Sequence, residues 1–236
     1  MAEQLLRQSG RQQLLCISRH SDDSLAALAR ASGATLAQWA LDLAEPQPGA
    51  DQLARWLRGL DAQAFDSATL INNAGTIAPP RPLDDARGPD VSHALRVGLE
   101  APMLLTAAFL GATRGWRAAR KVLNLSSGLG RNAMGSQAPD CAAKAGMDHF
   151  SRAVALEEAA APNGARIVSL APGVIDTDMQ VQLRGSDPDQ FPDRTRFIQL
   201  EREGRLDTPA AAAEKVLRFL ARPDFGSRPV ADVRDS

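Results

Sequence analysis

Three polar side chains within residues 121–150 have the types and the spacing to act on a small molecule. Ser126 and Ser127 follow an apolar run that predicts a buried strand, and Lys144 lies in an Ala-rich helix predicted to begin near Asp140. Open α/β sheets place their ligand chemistry in loops at the carboxyl ends of strands. Hydroxyl and ammonium groups in such a loop can hydrogen-bond to an oxygen of a bound substrate.

The rest of the chain predicts alternating strands and helices that would position this stretch. The predicted strands are apolar runs at residues 13–18, 34–41, 68–73, 122–125, 166–170 and 230–233. The predicted helices cover residues 1–9, 22–31, 47–60, 89–113, a segment from 140 onwards and 208–221, with short helices in a polar excursion at 174–205. This alternation predicts one α/β domain over residues 1–236, with a mostly parallel sheet covered on both faces.

Composition argues against several classes of partner and location. The formal net charge of −1 gives no strong field for nucleic acid or an anionic membrane. No apolar run reaches the roughly 18 residues of a transmembrane helix, and the first residues lack the pattern of a signal peptide. Cys16 and Cys141 have no metal-ligand spacing around them. We therefore expect a cytoplasmic protein with no metal site, whose partner is a small molecule.

The sequence around Ser126, Ser127 and Lys144 resembles a known active site. Ser126-Ser127-Gly128 followed by CAAKAG is similar to the short-chain dehydrogenase/reductase family, which uses a Ser, a Tyr and a Lys four residues after the Tyr. Ser127 and Lys144 fall on this pattern, but Asp140 occupies the position of the tyrosine, and the chain contains no tyrosine. The segments LEREGRLDTPAAAAEKVL and FGSRPVADVRDS resemble its sepiapterin-reductase-like and benzil-reductase-like branch.

The resemblance implies a Rossmann-like three-layer sandwich that binds NADP, with NAD less favoured. Arg19 would receive the 2′-phosphate of NADP, because a guanidinium can bind phosphate in a bidentate manner; the alternative is a solvated loop arginine. Asp42 and Leu43 would lie beside the adenine, although Asp42 equally fits a capping role. Lys144 would bind the nicotinamide ribose.

Two further loops match the family where it approaches the ribose and closes over the nicotinamide. These positions are Asn73, Ala74, Gly75, Pro172, Gly173 and Thr177. Small residues in the first loop would allow close backbone approach, although Asn and Gly are also common in ordinary turns. The hydroxyl of Thr177 would meet the carboxamide or a phosphate of the cofactor.

Three departures separate this sequence from the family pattern. The T-G-x-x-x-G-x-G turn, whose amides hold the pyrophosphate, has no counterpart, because the likeness starts inside the family's first helix. We therefore expect the central first strand to be missing, so that its two neighbours either pair directly or keep open edges. Gly98 replaces an Asn that supports a water chain to the Lys in the family.

The third departure, Asp140, affects the chemistry. A carboxyl has an ordinary pKa near 4, and Lys144 four residues later is expected to hold it ionised, so that it cannot donate a proton to a substrate oxygen. The alternative is a structural role, in which Asp140 caps free N–H groups of the helix or pairs with Lys144.

Two functions stay open from the sequence. The first is an NADP-dependent oxidoreductase that reduces a small ketone, diketone or pterin-like carbonyl, with Ser127 at the substrate oxygen and activity impaired by Asp140. The second is a non-catalytic relative that acts as a binding or assembly protein. For either function, the apolar helix at residues 89–113 and the Ala-rich helix after Asp140 predict a homodimer or homotetramer.

Overall fold

Strands and helices alternate along the chain in the computed structural model, which describes residues 1–235. The strands are β1 (Gln13–Ser18), β2 (Thr35–Ala40), β3 (Ser67–Asn72), β4 (Ala119–Leu125), β5 (Arg166–Ala171) and β6 (Val230–Asp232). The helices are α1 (Ala2–Leu6), α2 (Asp23–Ser32), α3 (Pro46–Arg58), α4 (Gly88–Leu95), α5 (Ala101–Thr113), α6 (Ala138–Ala159), α7 (Asp178–Gly185), α8 (Arg194–Arg202) and α9 (Pro209–Leu220). Each predicted strand and helix is present, with small shifts at the ends.

The strands form two parallel sheets instead of one. β1 pairs with β2, and the other strands pair in the order β3-β4-β5-β6. Among residues 1–235, no strand pairs with β1 on the side away from β2, or with β3 on the side away from β4. The chain therefore adopts the open-edge alternative, in which the backbone N–H and C=O groups on one side of β1 and on one side of β3 have no ladder partners.

One layer of helices covers both sheets on the same face. The shared core contains Leu53 and Leu57 of α3, Leu105 and Phe109 of α5, and Val122 and Ile167 of the larger sheet, with Leu15, Ile17 and Trp39 of the smaller sheet packed against them. The apolar positions of α3 recur at helical spacing, so they face this core together. This common burial joins the two sheets where no strand ladder does.

A second layer covers the opposite face. Its core contains Leu123, Val168 and Leu170 of the larger sheet with Val216, Leu217 and Leu220 of α9. Leu5 of α1 packs against this core, and Gln4 Nε2 donates a hydrogen bond to Ala210 O at 2.9 Å. Because α1 also contacts α2 and β1, it bridges the two sheets from this side. Helices on both faces of parallel strands complete the predicted Rossmann-like three-layer arrangement.

α4 and α5 belong to one long helix, Gly88–Thr113, interrupted by a π turn at Arg96–Glu100. A Cβ on Gly98, inside this turn, would lie 3.1 Å from the Cβ of Ala143 on α6, so the glycine permits close approach of the two helices. An 18-residue window of the long helix has a mean hydropathy of 1.3, so by length and composition the helix could cross a membrane. Half of that window is buried inside the fold, as in the core helix of a globular domain.

Candidate active site

The carboxyl ends of β3, β4 and β5 meet along one edge of the four-stranded sheet. Asn72, Asn124 and Ser169 lie opposite one another in register near this edge. The loops that follow these strands carry the predicted site residues Asn73, Ala74, Gly75, Ser127, Pro172 and Gly173. The parallel register therefore brings the predicted substrate loop and the two predicted nicotinamide loops to a common edge.

Ser127 is the first residue after β4 whose side chain is both partly accessible and held by a hydrogen bond. It precedes a single 3₁₀ turn, Gly128–Gly130, and its Oγ accepts a hydrogen bond from the Leu129 N–H at 3.2 Å. The hydroxyl proton of Ser127 is not used in that bond and can be donated. The neighbouring Ser126 Oγ is buried and has no hydrogen-bond partner among residues 1–235.

Lys144 extends from α6 to the end of β4. Its Nζ donates a hydrogen bond to Leu125 O at 2.8 Å, which places the ammonium group at the strand end that leads to Ser127. Burial lowers the pKa of Lys144 to about 8, although the charges of Asp140 and Asp148 act in the opposite direction. The side chain is therefore a poorly solvated cation that still donates hydrogen bonds at neutral pH.

Asp140 is buried in the first turn of α6, with 5% of its surface exposed. Burial raises the pKa of Asp140 to about 6, although the Ala78 amide, the Lys144 charge and its own amide favour the ionised form. Desolvation therefore outweighs the Lys144 charge in setting this pKa, which still leaves most of these carboxyls ionised at pH 7. Lys144 Nζ bonds to Leu125 O, and Asp140 Oδ2 has no hydrogen-bond partner within the described residues.

A chain of buried polar side chains lies behind this edge. Asn72 Nδ2 donates to Asn124 Oδ1 at 2.7 Å and to Thr106 Oγ1 at 3.2 Å, and Asn124 Nδ2 donates to Ser151 Oγ at 2.9 Å. These bonds connect β3, β4, α5 and α6. An amide residue inside each of two apolar strands was the available signal, since a buried amide needs a partner.

Asp148 is a second site-supporting residue that sequence reasoning missed. It is 1% exposed; Ser169 Oγ donates to its Oδ1 at 2.6 Å, and Arg131 Nε donates to its Oδ2 at 3.1 Å. A Cβ on Gly130 would lie 2.7 Å from Asp148 Oδ2 and 2.9 Å from Lys144 O, so the glycine lets the turn after Ser127 rest on α6. The sequence signal that could have identified Asp148 was a carboxylate one helical turn beyond Lys144 in an Ala-rich helix.

The predicted nicotinamide loops approach α7. Gly173 has φ +86°, a conformation that favours glycine and turns the chain sharply after β5. Thr177 is exposed at the N-terminus of α7, and its side chain makes no capping hydrogen bond to that helix. A Cβ on Gly75 would lie 3.6 Å from Met179 Cε, which places α7 beside the loop after β3.

The predicted adenine-side residues lie at the carboxyl ends of the two-stranded sheet. Arg19 is exposed immediately after β1. Asp42, after β2, is exposed and accepts a hydrogen bond from the Ala44 N–H at 2.9 Å within the loop, whereas the N-cap position of α3 is occupied by Glu45. Leu43 is 7% exposed and packs in the core near Gly49 of α3. These residues contact their own loops or the core and do not bond to the four-stranded sheet.

The protein family follows from comparison with known proteins. The model of the short chain dehydrogenase family matches residues 1–187. This chain belongs to that family. A benzil reductase ((S)-benzoin forming) of Bacillus cereus is 33% identical, and the alignment covers 95% of this chain and 90% of the relative. A sepiapterin reductase of Meriones unguiculatus is 29% identical, with coverage of 94% and 86%.

Solved structures of short-chain dehydrogenases share the fold. One from Burkholderia vietnamiensis is 33% identical, with a TM-score of 0.59, covering 99% of this chain and 90% of that chain. A 3-oxoacyl-[acyl-carrier protein] reductase from Brucella melitensis in complex with NAD has a TM-score of 0.75 at 22% identity, covering 94% and 85%. At that identity, the second likeness shows the fold alone.

The short-chain dehydrogenase site of this chain fits one end of a nicotinamide dinucleotide better than the other. At the edge of the four-stranded sheet, the Lys144 amine, the unpartnered Oγ of Ser126 and the positive φ of Gly173 supply polar groups and close backbone approach. No glycine-rich turn joins a strand to a helix N-terminus in the described range at the end of β1 or β2. The residues present therefore fit the nicotinamide and the substrate, and they do not supply the amide cradle for a pyrophosphate.

Proposed function

We propose that this short-chain dehydrogenase reduces a small carbonyl compound, a ketone, diketone or pterin-like molecule, with NADP as the preferred cofactor. The observation that carries the proposal is the bond from Lys144 Nζ to Leu125 O, at the strand end that leads to Ser127. Asp140 lies one helical turn before Lys144 on the same helix face. Family membership and relatives named benzil reductase and sepiapterin reductase support an oxidoreductase of carbonyl compounds.

Carbonyl reduction requires a hydride at the carbon and a proton at the oxygen. A bound nicotinamide dinucleotide supplies the hydride. Ser127 donates its hydroxyl proton in a hydrogen bond to the carbonyl oxygen and so stabilises the negative charge that develops there. Lys144 holds the nicotinamide ribose through Nζ. Asp140 delivers the proton to the substrate oxygen when its carboxyl is protonated, and the ionised form repels that oxygen.

The exposed guanidinium of Arg19 supports the preference for NADP over NAD. It lies directly after β1, where no hydrogen bond or ion pair within the described chain engages it, so it is free to bind a 2′-phosphate. Asp42 and Leu43 border the adenine in this proposal. Asn73, Ala74, Gly75, Pro172, Gly173 and Thr177 line the nicotinamide ribose and carboxamide.

The protonation of Asp140 gives the proposal a direct test. With a pKa of about 6, roughly a tenth of the carboxyls are protonated at pH 7 and roughly three quarters at pH 5.5, so turnover rises about eightfold as pH falls between these values. The rate is followed as NADPH oxidation with a diketone, corrected for acid decay of NADPH. Asp140→Asn keeps the shape but has no titrating proton, so its profile is flat.

Cofactor binding separates this proposal from a non-catalytic function. Trp39 on β2 and Trp56 on α3 lie with ring centroids 6.1 Å apart, and they report binding near β2 by a change in fluorescence. NADPH binding without turnover of any carbonyl compound between pH 5.5 and 7 contradicts the catalytic proposal. That outcome favours the second candidate, a binding or assembly protein.

Exposed apolar side chains on two helices support assembly in either case. Met103 on α5 is 42% exposed and Leu156 on α6 is 76% exposed, although both helices otherwise bury apolar surface. We propose that these helices form the interface of a homodimer, or of a homotetramer built from such dimers. Light scattering at micromolar concentration measures the assembly, and Leu156→Glu is expected to shift it toward the monomer. A native chain that is already monomeric contradicts the interface.

A further inference from the structure

A cavity at the opposite end of the sheet has the features of an oxyanion site. It lies at the amino ends of β4 and β5 and has a volume of about 560 Å³. Its lining comes from the α5–β4 connection and the α6–β5 connection: Arg114, Gly115, Trp116, Arg117, Arg120, Ala161, Pro162 and Asn163. The candidate active site lies at the carboxyl ends of the same strands, so this cavity is separate from it.

Arg120 is the buried centre of the cavity. It is 4% exposed; its Nη2 donates to Glu158 Oε2 at 3.2 Å, and its Nε donates to Asn163 O at 3.2 Å. Its Nη1 is also buried and has no hydrogen-bond partner among residues 1–235. An unsatisfied buried N–H of a charged group is costly, and an acceptor held in the cavity would remove that cost.

The charged side chains around the unpartnered Nη1 of Arg120 are mostly positive. Glu158 is already engaged, because its Oε2 accepts from both Arg120 and the Ala165 N–H. Arg114 and Arg117 are exposed at the cavity mouth, and neither forms an ion pair in the described part of the chain. Three guanidinium groups therefore surround one cavity with a single neutralising carboxylate, an arrangement that suits a bidentate oxyanion.

We propose that this cavity binds the oxyanion group, a phosphate or a carboxylate, of a small molecule. Arg120 Nη1 donates to the anion from the cavity wall, and Arg114 and Arg117 neutralise its charge at the mouth. Apolar lining from Ala161 and Pro162 accommodates the remainder of the ligand. Because Arg120 lies on β4 and Glu158 on α6, the bound anion braces the strand that leads to Ser127 and the helix that carries Lys144.

The test is calorimetric titration of the full-length chain with sodium phosphate and, separately, sodium succinate, against sodium chloride at matched ionic strength. One site per chain is expected for at least one of the two anions, and their relative affinities distinguish a phosphate from a carboxylate ligand. Arg114→Ala/Arg117→Ala should weaken binding by at least about tenfold, since charge-assisted hydrogen bonds are roughly twice as strong as neutral ones. Both replaced residues are exposed, so the fold is expected to persist.

Arg30→Ala/Arg196→Ala is the matched control, because it removes two exposed arginines away from the cavity and should leave affinity unchanged. Arg120→Lys keeps the buried charge but lacks the second guanidinium nitrogen, and should also weaken binding. Three results overturn the proposal: no binding of either anion at 50 mM (on the order of the weakest specific affinities), equal loss in the control, or full affinity in Arg114→Ala/Arg117→Ala. The last result would place any bound phosphate at another site, including the loop of Arg19.

Discussion

The carboxyl edges of the two sheets differ in how firmly hydrogen bonds to other elements of the chain hold them in place. At the four-stranded sheet, Asn72, Asn124 and Lys144 each bond to a group from another element, and most of these bonds are buried. At the two-stranded sheet, Arg19 is exposed and Asp42 bonds only within its own loop. The edge proposed for the substrate is therefore fixed by mostly buried tertiary contacts, whereas the edge proposed for the adenine is held by exposed ones, including those between Gln38 and Asp22.

The largest expected effect comes from Asp140→Tyr, which tests whether the carboxyl edge of the four-stranded sheet lacks only a proton donor. A phenol has an ordinary pKa near 10, so it stays protonated at pH 7, and general acid catalysis contributes about 10²–10⁴-fold. NADPH oxidation with a diketone should therefore rise by at least about 100-fold at saturating cofactor. Asp140→Phe supplies the ring without the hydroxyl and should stay at the basal rate. Equal rates for these two variants would place proton transfer elsewhere.

A pair of matched substitutions compares the stability of the two edges. Asp148→Ala removes the acceptor of Ser169 and one of the two carboxylates near Arg131, which keeps Asp232 at 3.8 Å, and should cost about 1.5–3 kcal/mol of unfolding free energy. Asp42→Ala removes one exposed bond to a backbone amide and should cost about 1 kcal/mol. Urea unfolding monitored by tryptophan fluorescence measures both. Similar losses of unfolding free energy would mean that both edges are held equally firmly, and the contrast between them would be wrong.

The adenine side is tested by Arg19→Ala. Loss of a charge-assisted bond to the 2′-phosphate should weaken NADP binding by about 1–3 kcal/mol and leave NAD binding unchanged. Arg11→Ala, an exposed arginine before β1, is the control. Titration with each cofactor measures the dissociation constants. Equal weakening for NADP and NAD would show that Arg19 does not read the phosphate.

The smallest effect is expected at Gly98. Asparagine there should support Lys144, as in the family, but its Cβ would lie 3.1 Å from Ala143 Cβ and force the two helices to shift. We expect a gain of a few fold in turnover only in Gly98→Asn/Ala143→Gly, made in the Asp140→Tyr background, and non-additive with it because both act on one proton relay. Ala143→Gly alone is the control. A gain from that control would show that helix spacing, not the amide, matters.

The order of strands and helices could be read from the sequence, but the contacts between them could not. Local patterns such as QLLCIS mark strands because apolar residues and turn residues act over a few positions. The bond between Asn72 and Asn124 joins residues 52 positions apart, so it depends on strand register. The raised pKa of Asp140 depends on burial by distant residues, so the spacing to Lys144 alone could not give its value.

Because of the open edges of β1 and β3, we expect the smaller sheet to behave as a separate cooperative unit. β1 and β2 are held to the rest of the molecule by side-chain packing under α3 and by α1, without a strand ladder to the larger sheet among residues 1–235. Such a unit can open by itself at a lower free energy than global unfolding. Amide hydrogens that bond β1 to β2 should therefore exchange with solvent sooner than those between β4 and β5, while the carboxyl edge of the four-stranded sheet stays closed.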